Sequence, residues 1–176
     1  MTTQLLFDLE STGLLRRGST IHCIVTRDIS DPDEPIVFDY KPERALIQGV
    51  KQLERADTLI GHNIINYDIP LLKEQYPDFS PEGEVLDTLV LSRLYYPNII
   101  DRDYERRPAG MPQRCYGRHS LEAWGYRLRC FKGDFAKQEG NDWSRYTPEM
   151  LDYCIQDTQV TYQLFLLLQR RMNDYA

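Results

Sequence analysis

Apolar and polar positions alternate or recur with clear periods along most of this chain. QLLFDLE (4–10) alternates and reads as a strand. IHCIVTRDI (21–29) and PIVFDYK (35–41) read as two more, joined by the turn-rich SDPDEP (30–35). In ERALIQGVKQLERA (43–56), Leu46, Val50 and Leu53 have helical spacing. TLIGHN (58–63) reads as a short buried strand. Asp68, ahead of Ile69 and Pro70, suits a helix start, because proline is tolerated in a first turn. That helix runs through Leu71 and Leu72 to Gln75. GEVLDTLVLSRLYY (83–96) is a brief strand passing into a helix near Asp87. Residues 97–118 are polar, arginine-rich and proline-bearing, and read as a long loop. SLEAWGYRL (120–128) is a short helix with Ser120 as its N-cap. After a second loop, Thr147 caps and Pro148 opens a long helix reaching Arg171. The order β-β-β-α-β-α-β-α-α-α predicts a mixed α/β fold, a central mixed sheet flanked by helices.

A chain of 176 residues is most naturally one domain, and its 41% apolar and 11% aromatic residues can fill a core. No apolar run approaches the ~20 residues of a membrane span. MTTQLLFDLE lacks the basic and apolar regions of a signal peptide, so no membrane partner is expected. Cys23, Cys115, Cys130 and Cys154 show no C-x-x-C spacing and read as reduced thiols of a cytoplasmic protein. The net charge of −6 argues against a general nucleic-acid binder. The distribution is uneven, however. Arg102, Arg106, Arg107, Arg114, Arg118, Arg127, Arg129 and Lys132 face only Asp103, Glu105 and Glu122 in the same stretch. A basic strip beside an acidic site suits a metal-dependent enzyme acting on a polyanion. A solvated loop with ordinary charges has the same composition.

The acids that matter lie in three segments. Asp8 and Glu10 are two apart on the first strand, so both point to one face at its C-terminal end. Asp68 follows a strand and a loop carrying His62 and Asn63. Tyr153 and Asp157 are four apart on the last helix and share a face. Each has an ordinary reading alone: solvated strand-end acids, a helix cap, an exposed acid beside a half-buried tyrosine. Brought together, four carboxylates repel at neutral pH unless divalent cations hold them. A site of that kind does phosphoryl chemistry.

In this order and at these intervals, D-x-E (8–10), N-x(4)-D (63–68) and Y-x(3)-D (153–157) resemble the motifs of the DEDD superfamily of 3′→5′ exonucleases, in its tyrosine-bearing (DEDDy) branch. DTLVLSRL (87–94) and HSLEAWGYRL (119–128), followed by Lys132-Gly133, are similar to segments of the proofreading domain of family A polymerases of short-tailed phages. The resemblance covers essentially the whole chain. It implies a ribonuclease-H-like fold and a 3′→5′ exodeoxyribonuclease that releases 5′-nucleoside monophosphates, working with two Mg²⁺ or Mn²⁺ ions about 4 Å apart.

By the same resemblance, Asp8 bridges both ions, Glu10 and Asp157 complete the site of the attacking water, and Asp68 holds the second ion. Tyr153 orients the water. Ser11, Thr12 and Leu14 fall where the family's loop meets the 3′-terminal nucleotide, with His62 and Asn63 beside them. Arg106, Arg107 and Arg114, interleaved with Tyr104 and Tyr116, are expected to grip the strand. The expected partner is a single-stranded or frayed 3′ end of DNA during phage replication in a bacterial cytoplasm. Asn63 stands five residues before Asp68, a spacing nearer the family B proofreading pattern. The 176 residues hold no polymerase domain, so the expectation is one exonuclease domain, free-standing or excised, with a separately encoded polymerase as further partner. The alternatives are a DNA-binding accessory subunit and an RNA-trimming exonuclease.

Overall fold

Five strands form one sheet: β1 (Gln4–Ser11), β2 (Ile21–Asp28), β3 (Asp31–Phe38), β4 (Thr58–Gly61) and β5 (Glu84–Asp87), in the spatial order β3-β2-β1-β4-β5. The computed structural model describes residues 2–13, 18–130 and 142–174. β1, β2 and β3 make an antiparallel meander, and β4 and β5 add in parallel on the other side of β1. The helices are α1 (Leu46–Glu54), α2 (Asp68–Gln75), α3 (Thr88–Tyr95), α4 (Ile99–Arg106), α5 (Leu121–Leu128) and α6 (Pro148–Asp174). No described helix is long and apolar enough to cross a membrane.

The alternation in β1 decides which face does what. Leu5, Phe7 and Leu9 pack with Val50 and Leu53 of α1 and with Leu71 and Leu72 of α2. Leu6 points the other way, against Ile60 and Phe165 of α6. Asp8 and Glu10 share the parity of Leu6 and therefore face α6. On β2, Cys23 and Val25 meet Cys154 of α6. Leu6, Phe7, Ile60 and Leu59 are fully buried, and each is worth about 1.5–3 kcal/mol of transfer free energy. Two helices are capped by the residues expected of them, Ser120 and Thr147, and α3 is capped by Asp87. Ser120 Oγ accepts from the Ala123 amide at 3.3 Å, Thr147 Oγ1 from Met150 at 3.2 Å, and the Asp87 carboxylate from Leu89 at 2.9 Å.

Three expectations need correction. The long loop over 97–118 contains α4 and a 3₁₀ turn at Gln113–Cys115. The buried face of α4 is Ile99, packed on Tyr96, Trp124 and Leu164, and Asp103 one turn later. Asp103 takes two bonds from Arg127, at 2.8 and 2.7 Å, and one from the Gly117 amide at 2.9 Å. The inward face of this helix is half ionic, and Ile100 and Tyr104 stay exposed, so its polar, arginine-rich composition imitates a loop. The third strand runs Asp31–Phe38 and not 35–41, because the chain reverses within two residues at Ile29 and Ser30. Pro32 and Pro35 sit in this strand because it is an edge and need not donate on both sides. The helix expected over 43–56 is a 3₁₀ turn, Pro42–Arg44, followed by the shorter α1.

Candidate active site

The end of β1, the β4–α2 loop and the first turns of α6 converge on a cavity of about 450 Å³. Asp8, Glu10, Asp68, Tyr153 and Asp157 all line it, with Ser11, His62 and Asn63. Tyr67, Gly13 and Trp143 complete the wall with Leu9. Thr12 is at the rim, tied to Thr20 by Thr12 N to Thr20 O and by Thr20 N to Thr12 Oγ1, both 3.0 Å. Leu14 lies outside the described residues, as do Lys132 and Gly133. Arg106, Arg107 and Arg114 do not line the cavity. Arg106 ends α4, and Arg107 follows it in the left-handed region at φ 46° beside Tyr104 and Tyr116. Arg114 makes a two-pronged pair with Glu122, 2.7 Å on each side.

Long-range hydrogen bonds hold the loops of the site. Asp87, 2% exposed, accepts from Asn63 N at 2.9 Å and from Ile65 N at 3.1 Å while it caps α3. This pins Asn63 at φ 63°, a left-handed conformation that asparagine tolerates better than most residues. His62 Nδ1 pairs with Thr88 Oγ1 at 2.9 Å. Burial pushes the His62 imidazole down to about 4, so it is neutral at physiological pH. Ser11 Oγ pairs with Tyr67 Oη at 2.6 Å, and both reach the Gly13 carbonyl, Ser11 at 2.9 Å. The Tyr153 ring meets Trp143 edge-on, with centroids 6.3 Å apart. His22 Nε2 contacts the Trp143 carbonyl at 3.0 Å.

The electrostatics of the cavity suit a divalent cation. Asp8 and Glu10 open onto the cavity, yet protein surrounds them. Burial holds both carboxyls well above the usual carboxylate range, and the neighbouring acids push them further. Asp157 is raised by burial to about 7 against the bond it accepts from Tyr153. Asp68 is raised to about 7, again by burial first, although backbone amides lower it. Burial and the charges of Asp157, Glu10 and Asp8 raise the Tyr153 phenol above its ordinary value. Asp68 is 3% exposed, and its Oδ1 has no hydrogen-bond partner. An orphaned buried carboxylate oxygen among three other acids fits a divalent metal, whose charge would reverse every one of these shifts. Asp8, Glu10, Asp68 and Asp157 can supply the hard oxygen donors.

Four further residues of this neighbourhood are hard to place there from sequence alone. Asp87 reads in the sequence only as the point where a strand passes into a helix, and its hold on the Asn63 loop spans more than twenty residues. Tyr67 precedes Asp68 and is the N-cap residue of α2. Trp143 carries no local signal. Cys154 donates to Asp8 Oδ2 at 3.4 Å. Its position three residues before Asp157, on the same helix face, is the one clue to it.

No family model matches the chain. It is 31% identical, over a 193-residue alignment, to the DNA-directed DNA polymerase of Enterobacteria phage T3, an alignment covering 97% of this chain and 27% of that protein. It is also 31% identical to the polymerase of Escherichia phage T7, over 95% of this chain and 26% of the relative. The chain thus spans about a quarter of the length of these curated relatives. Brucella melitensis NrnC superposes with a TM-score of 0.64 at 19% identity, over 98% of this chain and 75% of NrnC. NrnC is also known bound to pGG and with bound Mg²⁺. Escherichia coli RNase D, an exoribonuclease, superposes with a TM-score of 0.60 at 14% identity, over 97% of this chain and 39% of RNase D. By sequence the chain is similar to one segment of the T3 and T7 phage polymerases, and by fold it is a mixed α/β, ribonuclease-H-like domain, the architecture it shares with NrnC and RNase D.

Proposed function

We propose that the chain is a divalent-metal-dependent 3′→5′ exodeoxyribonuclease that removes 5′-nucleoside monophosphates from a single-stranded or frayed DNA end. The observation that carries this is the convergence of Asp8, Glu10, Asp68 and Asp157 with Tyr153 in one cavity. Sequence kinship with DNA polymerases supports DNA over RNA as substrate. Asp8, Glu10, Asp68 and Asp157 would hold two Mg²⁺ or Mn²⁺ ions. When bound, such a pair supplies a water acidified for attack and a counter-charge for the scissile phosphate and its leaving 3′-oxygen.

The chain's own groups do the rest. Tyr153 keeps its proton and donates it in a hydrogen bond, so it orients the water and is not the base. Ser11, Thr12 and Leu14, with His62 and Asn63, would border the place of the terminal nucleotide. The tie of Ser11 and Tyr67 to the Gly13 carbonyl stiffens that border. Neutral His62 offers hydrogen bonding without drawing in a stray anion. Arg106, Arg107 and Arg114 would contact the strand upstream, with Tyr104 and Tyr116 as stacking faces. The two rings already sit edge to face at 5.2 Å. A DNA-binding accessory role leaves four mutually repelling carboxylates without a purpose.

The test is digestion of matched single-stranded DNA, duplex DNA and RNA, each 5′-labelled, with Mg²⁺ and with a chelator. The expected result is stepwise shortening of single-stranded DNA from its 3′ end, abolished by the chelator. Faster digestion of RNA would reassign the substrate.

A further inference from the structure

One side chain at the metal-binding acids is neither an oxygen donor nor explained by hard-cation chemistry. Cys154 is fully buried on α6, and its Sγ lies 3.4 Å from Asp8 Oδ2. The donor atoms of Asp8, Glu10 and Cys154 all fall within 4.8 Å of one another. We propose that Asp8, Glu10 and Cys154 together form a thiolate-containing site for a borderline-soft divalent cation of the zinc class, which competes with the harder ions for the two carboxylates. This rests on reading Asp8 and Glu10 as metal ligands.

The geometry supports a shared ion. A zinc bond to sulfur is about 2.3 Å and to a carboxylate oxygen about 2.0 Å. At a tetrahedral angle these lengths set the two donors about 3.5 Å apart. The 3.4 Å thiol-to-carboxylate hydrogen bond between Sγ and Oδ2 is close to that edge, so the two atoms need little movement to share an ion. The unpartnered, buried Oδ1 of Asp68 lies in the cavity that Asp8 and Glu10 also line, so an unsatisfied oxygen is aimed at the same carboxylates. Sulfur is a poor ligand for Mg²⁺ and a good one for Zn²⁺, Co²⁺ and Cd²⁺, so this one side chain biases selectivity. With a hard cation, Cys154 stays a thiol and donates to Asp8. With a zinc-class cation, the metal–sulfur bond forms as the S–H bond breaks, and the proton leaves to buffer. No electrons are exchanged. Cys23 is the competing sulfur, since it opposes Glu10 across the β1–β2 pair and packs beside Cys154.

The test is titration of the metal-free protein with Co²⁺, read by near-ultraviolet absorption. A bound thiolate gives an intense sulfur-to-cobalt charge-transfer band. The band is expected in the wild type and in Cys23→Ala, and is expected to be lost in Cys154→Ala and Cys154→Ser. The serine variant keeps the side-chain volume and carries the test if the alanine variant does not fold. Calorimetric titration should show the Zn²⁺-to-Mn²⁺ affinity ratio falling at least about tenfold in Cys154→Ser. Co²⁺ binding without the band, or a band that survives both Cys154 variants, overturns the proposal. If that happens while Mn²⁺-dependent DNA hydrolysis persists, the exonuclease reading stands. If neither Co²⁺ nor Mn²⁺ binds, both fall.

Discussion

Replacing Asp157 with asparagine should stabilise the metal-free protein at pH 8 and leave it unchanged near pH 4. Asp157 is carried from an ordinary 3.8 to about 7 by burial. At about 1.4 kcal/mol for each tenfold change in proton affinity, ionising it in the fold costs about 4 kcal/mol more than in the unfolded chain. The carboxylate is partly open to the cavity, and water reduces this to about 2–4 kcal/mol. The sign follows from linkage. Below about pH 4 the group is protonated in both states, and the fold keeps its full contribution. As pH rises through about 7 the folded carboxyl ionises, and the contribution is lost. Asparagine can still accept from Tyr153 and never ionises. The gain corresponds to about 5–15 °C in Tm for a chain of this size. Thermal melts in chelator at pH 4 and pH 8 measure it. Adding Mn²⁺ at pH 8 should then raise the wild type by more than the variant. An equal effect at both pH values, or a destabilised variant at pH 8, would refute the electrostatic reasoning.

Asp8→Ala should abolish hydrolysis, whereas Tyr153→Phe, which loses one orienting hydrogen bond of roughly 1–3 kcal/mol, should slow it about ten- to a hundredfold; single-turnover rates separate the two, and a deader tyrosine variant would give Tyr153 a direct chemical role. Arg106→Ala combined with Arg107→Ala should raise KM and flatten the log–log salt dependence of DNA binding by close to one unit for each phosphate no longer neutralised, with little change in kcat; an unchanged slope would move the DNA path elsewhere. Asp103→Ala should cost about 3–5 kcal/mol in denaturant unfolding, because it strands the buried guanidinium of Arg127, whose Nη1 already lacks a partner; a loss under about 1 kcal/mol would mean that solvent reaches the pair.

Strand parity is strict, which is why the two-residue step from Asp8 to Glu10 is enough to assign both to one face. The four-residue step from Tyr153 to Asp157 is equally rigid on a helix. Thr147 and Ser120 are legible because a cap is a local bond between a side chain and an amide three residues on. What escapes the sequence is non-local or chemically disguised. α4 is hidden because one of its two buried residues is Asp103, held by an ion pair with Arg127, while Ile100 and Tyr104 stay exposed and the segment as a whole is polar. The hold of Asp87 on the Asn63 loop and the edge contact of Trp143 with Tyr153 join distant segments, and no period announces them. Cys154 reads as a core residue among Cys23 and Val25, and only its distance to Asp8 makes it chemistry.

The central claim is that four carboxylates make one site for two divalent ions. Counting bound Mn²⁺ by electron paramagnetic resonance of the free ion, in titrations of metal-free protein with a 3′-phosphorothioate single strand, tests it most directly. The account predicts two Mn²⁺ per chain at saturation for the wild type and loss of both in Asp8→Asn. No saturable uptake, or uptake that Asp8→Asn leaves intact, would contradict it.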